Sequence, residues 1–156
     1  MSPMTAWAGK LCFAVQSGST SVPFPDVSDT NNYLKNVPAY LASTAAGLSK
    51  SVENLKALPP APGGIGADRL AAAITGMNAY VTALNTAQTE ISSLKPGDAA
   101  GLKAVQARLT VVFQQVSKVN PIEEMIKEPT IKTAVYSAAA CASVRPATPK
   151  PAAPTS

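Results

Sequence analysis

Two cysteines, Cys12 and Cys141, are the side chains with the most informative chemistry in this 156-residue chain. They lie near opposite ends of the sequence, and the chain has no histidine that could join them in a metal site. The pair favours a disulfide, which would close a loop on the order of 100 residues and stabilise the fold by roughly 4–5 kcal/mol. The alternative is two separate buried thiols, because free cysteine packs as a small apolar residue. A disulfide would indicate an oxidising compartment.

The absence of histidine removes the commonest general base, metal ligand and proton shuttle. Ser–His–Asp and Cys–His catalysis are therefore excluded. The nine acidic residues are scattered, and the adjacent Glu123 and Glu124 would point in different directions on a helix. A Ser–Lys dyad stays conceivable in a serine-rich chain, but no spacing indicates one. We predict that the protein is not an enzyme and needs no metal or cofactor.

The segment Leu58–Gly66 places three glycines just before a predicted helix. Such a loop could cradle a phosphate at a helix amino terminus. However, no strand precedes it, and it lacks the Gly-Lys-Ser/Thr sequence of a phosphate-binding loop. The segment is therefore predicted to be a linker between helices.

Other residues could contact a ligand, although each has a structural explanation. Tyrosine can ligate haem iron, yet a lone tyrosine on a helix usually packs its ring and exposes its hydroxyl. The four tyrosines are Tyr33, Tyr40, Tyr80 and Tyr136. Gln88 is expected to set helix register. The alanine-rich faces Leu70–Ala73 and Ala138–Ala140 allow close helix approach, or alternatively leave a cavity for an apolar ligand.

The net charge of +4 is spread along the chain, without a basic run or interleaved aromatic residues. Nucleic-acid binding needs a concentrated basic footprint, so it is excluded. No apolar run reaches the ~18 residues of a membrane span. No secretory signal is visible, so Met1 is either an added start on a mature form or the protein is not exported. Lys10 also replaces the small residue expected in a lipoprotein cleavage site before Cys12.

The segment Ala67–Leu94 carries residues at alternating spacings of three and four that are all apolar except Gln88. Its seam residues are Leu70, Ile74, Met77, Val81, Leu84, Gln88 and Ile91. This heptad pattern predicts a long helix with one apolar stripe, which must pack against other helices. A second such seam consists of Leu102, Val105, Leu109, Val112, Val116 and Val119.

We therefore predict an all-α, up-and-down bundle of three long helices at about 37–57, 67–94 and 98–119. Short helices at about 3–15 and 130–142 complete it, and Cys12 and Cys141 would meet where these end helices touch. Pro38 either marks the start of the first long helix or kinks it. Residues 1–144 form one domain, and the Pro-rich residues 145–156 form a disordered tail.

Four features together resemble small exported or lipid-anchored helical proteins of actinobacteria. These features are Trp7, Cys12, the Pro96–Asp98 turn and Cys141. The resemblance implies a helical fold and a location outside the cell or in its envelope, although the missing export signal departs from it. The Ala/Pro/Lys tail is also similar to that of phasins, which coat polyester granules, but two cysteines and few Lys and Glu residues depart from that family.

These observations favour a non-enzymatic, disulfide-closed bundle that binds a partner protein or a cell-envelope component. One alternative is a carrier of a small apolar ligand inside the bundle. Another is an amphipathic coat protein whose helices open on a lipid or polymer surface.

Overall fold

The structure, a computed structural model, describes residues 1–17, 23, 25–116 and 120–146. Over these residues the chain is all-α, as predicted, and no strand is present. The α-helices are α1 (Pro3–Ser17), α2 (Thr30–Lys56), α3 (Ala67–Ser92), α4 (Ala99–Val116), α5 (Pro121–Met125) and α6 (Pro129–Ser137). Short 3₁₀ turns cover Pro62–Gly64 and Ala139–Cys141. The sequence also predicts a loop at 16–22, followed by Phe24 packed against the bundle. Gln16 and Ser17 instead belong to α1, whereas 18–22, Phe24 and residues 147–156 of the predicted tail (145–156) lie outside the described residues.

Side-chain caps fix the beginnings of four helices. Ser2, Asp29, Asp98 and Asn120 each accept a hydrogen bond from a backbone N–H two or three residues later, at 2.8–3.1 Å. Such caps satisfy backbone donors that have no partner within the helix. Serine and aspartate are residue types that favour this position, and Ser2 and Asp98 accordingly cap α1 and α4.

Helix α2 starts earlier than predicted and runs through Pro38 without interruption. Asp29 caps its amino end, which moves the start to Thr30. Proline removes one backbone hydrogen bond inside a helix. Val37 and Leu41 are buried on either side of the proline, so packing against neighbouring helices offsets this loss.

Helices α2 and α3 form a hairpin with the most extensive contact between helices in the structure, and two apolar clusters lie along it. The terminal cluster lies where α1, α5 and α6 pack on the carboxyl half of α2 and the amino half of α3. The distal cluster lies at the other end, where α4 packs on the hairpin. The large side chains of the terminal cluster include Trp7, Leu11, Val52, Leu55, Met77, Ile122, Met125, Ile131 and Val135. Those of the distal cluster are Val37, Leu41, Leu84, Ile91, Val105 and Leu109.

The predicted seam of α3 lies in the core, with Met77, Leu84 and Ile91 buried. Ala73 and Ala87 are buried as well, so the contact surface of α3 is wider than one heptad stripe. The reason is that α3 packs against α2, α4 and α5 rather than against one partner. The seam of α4 likewise buries Val105 and Leu109, while Val119 lies outside the described residues.

The end helices meet as predicted, and Cys12 and Cys141 form a disulfide with a Cα–Cα distance of 5.1 Å. Both cysteines are fully buried. The last helix is shorter than predicted, because extended backbone at Ala138 ends α6 and places Cys141 in the 3₁₀ turn that follows. Trp7 is a core residue, and its Nε1–H donates to the Pro59 carbonyl at 2.8 Å, which ties α1 to the linker between α2 and α3.

The chain that follows the disulfide stays in contact with α6. Arg145 donates to the Tyr136 carbonyl at 2.6 Å, and its guanidinium lies 5.4 Å from the centre of the Tyr136 ring. The Tyr136 hydroxyl donates to the Pro146 carbonyl at 2.9 Å. The bundle therefore holds the chain as far as Pro146.

Candidate binding groove

A groove runs along the surface where α1 lies beside the carboxyl end of α2. It encloses about 640 Å³. Helix α1 contributes Ala6, Gly9, Lys10, Phe13, Ala14 and Ser17, and the α2 side contributes Lys50, Asn54, Ala57 and Leu58. Along α1 these residues span about 16 Å, or three helical turns. We call this surface the Phe13 groove.

Phe13 is 67% exposed and is the aromatic side chain of the groove. Leu11 and Cys12, the two residues before it in α1, are fully buried. Because successive residues of a helix are rotated by about 100°, Leu11 lies about 200° from Phe13. The disulfide holds Cys12 in the core, and in this orientation of α1 the Phe13 side chain faces solvent.

Two hydrogen bonds hold the walls of the groove together. Ser51, a buried polar residue on α2, donates to the Val15 carbonyl at 3.1 Å. Asn54 donates through Nδ2 to the Ser17 hydroxyl at 2.6 Å. With the disulfide on its inner face, α1 is therefore fixed to the bundle on two sides, which makes the groove a preformed surface.

The groove is positively charged. Lys10 lies on α1 and Lys50 on α2, and no carboxylate is among the described residues that line the groove. Neither lysine forms an ion pair with a residue in the described part of the chain. The groove thus offers small residues, one exposed aromatic ring and two cations to a partner.

The described ion pairs lie outside the groove, and two of the three join neighbouring helices. Arg108 on α4 contacts Glu90 on α3 at 2.7 Å. Glu124 on α5 contacts Lys127 at 2.6 Å and Arg69 on α3 at 3.4 Å. The hydrogen bond from Lys127 and the charge of both cations hold the pKa of Glu124 below its ordinary value, although partial desolvation opposes them. This carboxylate therefore has a structural role at the α3–α5 contact.

Two further groups have altered pKa values, and neither lies in the groove. The backbone N–H of Ser28 donates to Asp26 at 2.9 Å and lowers the pKa of that carboxyl. Partial burial raises the pKa of Tyr33. Within the described ranges, no three acidic or cysteine side chains come together as metal ligands would.

The sequence-predicted ligand contacts do not converge on one place. Tyr40 packs against Phe113, with ring centroids 6.2 Å apart, in the distal half of the molecule, whereas Tyr136 lies beside Arg145 in the terminal half. The alanine-rich faces lie largely on the surface, since Ala71, Ala72, Ala139 and Ala140 are exposed. The segment 58–66 joins α2 to α3.

Phe13 itself is absent from the contacts predicted from sequence. The signal that could have revealed it is simple. Met4, Trp7, Leu11 and Val15 define the apolar face of α1, and Phe13 is a large apolar residue off that face. A large apolar side chain on the polar side of a short helix is informative because it exposes surface that a partner can cover.

Comparisons with family models, with curated proteins and with solved structures gave no match to this chain. The function is therefore argued from the geometry alone. Among the described residues, no helix combines the length and apolar character needed to cross a bilayer.

Proposed function

We propose that this protein is a non-enzymatic binding module that receives an acidic, amphipathic helix of a partner protein in the Phe13 groove. The observation that carries this proposal is the 67% exposure of Phe13 inside a preformed, lysine-flanked groove. Exposed aromatic anchors on a rigid surface dominate the energetics of many protein interfaces.

The shape of the groove favours a helix as the occupant. Two neighbouring helices enclose a channel about three turns long, and an amphipathic helix can lay its apolar face into such a channel. Small residues, Ala6, Gly9 and Ala14, leave room for close approach. A flat bilayer surface would contact the walls of a concave channel but would not fill it.

The charge of the groove favours an acidic partner. Lys10 and Lys50 lie on opposite walls without ion-pair partners among the described residues, so carboxylates beside the apolar face of the incoming helix would complement both. The disulfide supports action in an oxidising compartment, and we propose an extracellular or cell-envelope location on that ground.

Two other functions have less support. A carrier with its ligand inside the bundle would need the alanine-rich faces to enclose space, whereas most of these alanines are exposed. A coat protein that opens on a surface would have to separate α1 from α6, and the Cys12–Cys141 disulfide opposes this separation.

The proposal can be tested by placing a photoactivatable phenylalanine analogue at position 13 and irradiating the protein in secreted and envelope fractions of its host. The matched control carries the same analogue at Val111, an exposed apolar residue on α4 that is remote from the groove. We expect a protein adduct at position 13 that is absent at position 111. The double charge reversal K10E/K50E should reduce the adduct at position 13 without changing the circular dichroism spectrum.

Several results would overturn the proposal. These are no adduct at position 13, equal adducts at both positions, or a yield that K10E/K50E leaves unchanged. An adduct with a lipid or a glycan would replace the protein partner by an envelope component. Mass spectrometry of the adduct separates these outcomes.

A further inference from the structure

A second cleft lies at the opposite end of the hairpin from the Phe13 groove. It forms where the amino end of α2 meets the turn between α3 and α4 and the first turns of α4. It encloses about 420 Å³, which is within the usual range of about 300–1,000 Å³ for small-molecule pockets. We call it the distal cleft.

The apolar surface of the distal cleft comes from Leu34 on α2, Leu94 after α3 and Leu102 on α4. All three leucines are only partly buried, and Leu34 and Leu94 pack on the distal cluster. Among the described helices, α2, α3 and α4 form that cluster, and α1, α5 and α6 pack at the other end. The cleft therefore keeps an accessible apolar lining that an acyl chain could cover.

The polar side of the cleft is dominated by Lys95 and Lys103. Neither ammonium group forms an ion pair with a described residue. Asp98 also lines the cleft, but its Oδ1 accepts from the Gly101 N–H at 2.9 Å, and the amino end of α4 further offsets its charge. The charge left without a partner is therefore positive.

Gly101 is part of the construction of the cleft. A Cβ atom at this position would collide with the Asp98 carboxylate and with the Leu94 side chain. Glycine thus allows the cap and the leucine to pack against the same turn of α4. This packing fixes Asp98 on the helix end rather than on the lysines.

We propose that the distal cleft binds a single-chain amphipathic carboxylate, a free fatty acid in chemical class. The acyl chain lies against Leu34, Leu94 and Leu102, and the carboxylate lies between Lys95 and Lys103. Lysine stems cover apolar surface while their ammonium groups stay at its edge, which suits a ligand that is apolar along its length and anionic at one end. This site is separate from the Phe13 groove and does not depend on the function proposed for the groove.

Isothermal titration calorimetry with octanoate, decanoate, dodecanoate and tetradecanoate, each below its micelle concentration, tests the proposal. Each buried methylene should lower Kd about fourfold until the cleft is full, after which Kd should level off. Dodecyltrimethylammonium, which has a cationic head, should bind at least about tenfold more weakly than dodecanoate. Methyl NMR shifts should concentrate at Leu34, Leu94 and Leu102.

The variant K95Q/K103Q should raise Kd for dodecanoate about tenfold, because two ion pairs of modest strength are lost. The matched control K132Q removes an exposed lysine on α6 and should leave Kd unchanged. Both variants keep all residues of the apolar clusters, and circular dichroism verifies their folding.

Five outcomes would overturn the proposal, and the first four concern the pattern of binding. They are a Kd independent of chain length, equal binding of the cationic detergent, equal effects of K95Q/K103Q and K132Q, or methyl shifts centred on the terminal cluster. An absence of heat and of shifts with every chain length would do the same. The photocrosslinking result at Phe13 is independent of all these outcomes.

Discussion

Removal of the Cys12–Cys141 disulfide should lower the free energy of unfolding by about 5 kcal/mol. The two cysteines are separated by 129 positions, so the bond restricts nearly the whole unfolded chain. The chain-entropy relation gives about 5 kcal/mol for a loop of this length at 25 °C. This value is comparable with the total stability of many domains, so the disulfide should decide how much of the protein is folded under mild denaturing conditions.

The assay is urea unfolding of the oxidised protein and of the variant C12A/C141A, followed by circular dichroism. With an m value of about 2 kcal/mol/M, the transition midpoint should fall by about 2.5 M. Free energies as well as midpoints should be compared, because a crosslink makes the unfolded state more compact and lowers m. Dithiothreitol should shift the wild-type transition and leave that of the variant unchanged.

A loss smaller than about 1 kcal/mol would refute this reasoning. Hydrogen exchange distinguishes a local effect of the disulfide from a global one. If amides of α1 and α6 lose protection while those around Leu41, Leu84 and Leu109 keep it, the disulfide only prevents local fraying of the terminal cluster. If protection falls in both clusters together, the disulfide acts on the global equilibrium, as the chain-entropy argument requires.

Three further predictions concern other contacts. Trp7→Phe removes the hydrogen bond to the Pro59 carbonyl and part of a buried ring, and should cost about 2 kcal/mol in urea unfolding; no loss would contradict its role as an anchor. Gly66→Ala should lower the free energy of unfolding by more than about 2 kcal/mol, because φ is +78° and a Cβ would collide with Ile131 on α6. The control Gly76→Ala, inside α3 with open space around it, should raise the free energy of unfolding by about 1 kcal/mol. The ion pairs of Glu124 lower its pKa in the folded state, so they stabilise the fold above the ordinary pKa of 4.5 and this stabilisation is lost as the pH falls through the folded pKa. The melting temperature of E124Q should therefore fall less steeply on acidification than that of the wild type. Parallel curves of melting temperature against pH would exclude this contribution.

The helices could be predicted from the sequence because their signals are local. The three- and four-residue spacing in α3 and α4, the caps at Ser2 and Asp98, and the proline-rich linker each act within a few residues. The start of α2 was harder, because Pro38 is a local signal against a helix and tertiary packing of Val37 and Leu41 outweighs it. The end of α6 was missed because an alanine run does not show where the backbone turns to bring Cys141 to Cys12.

The Phe13 groove and the distal cleft are formed by segments that are distant in the sequence. Phe13 is recognisable as a residue off the apolar face of α1, but the groove also needs the carboxyl end of α2 beside it. The distal cleft combines residues from α2, from the turn after α3 and from α4. Heptad spacing gives the identity of the buried face, whereas the space left between helices depends on how far each helix extends past its neighbours.

The disulfide also determines which features lie at the same end of the molecule. Cys12 and Cys141 are bonded, and Arg145 and Pro146 lie against Tyr136, so α1 and the last described residues lie at the same end of the hairpin, which we call the terminal pole. Helix α3, with 26 residues, spans about 39 Å from that pole towards the other. A molecule held on a support at the terminal pole would therefore keep the Phe13 groove near the support and project the distal cleft away from it, so the two surfaces would lie at different heights.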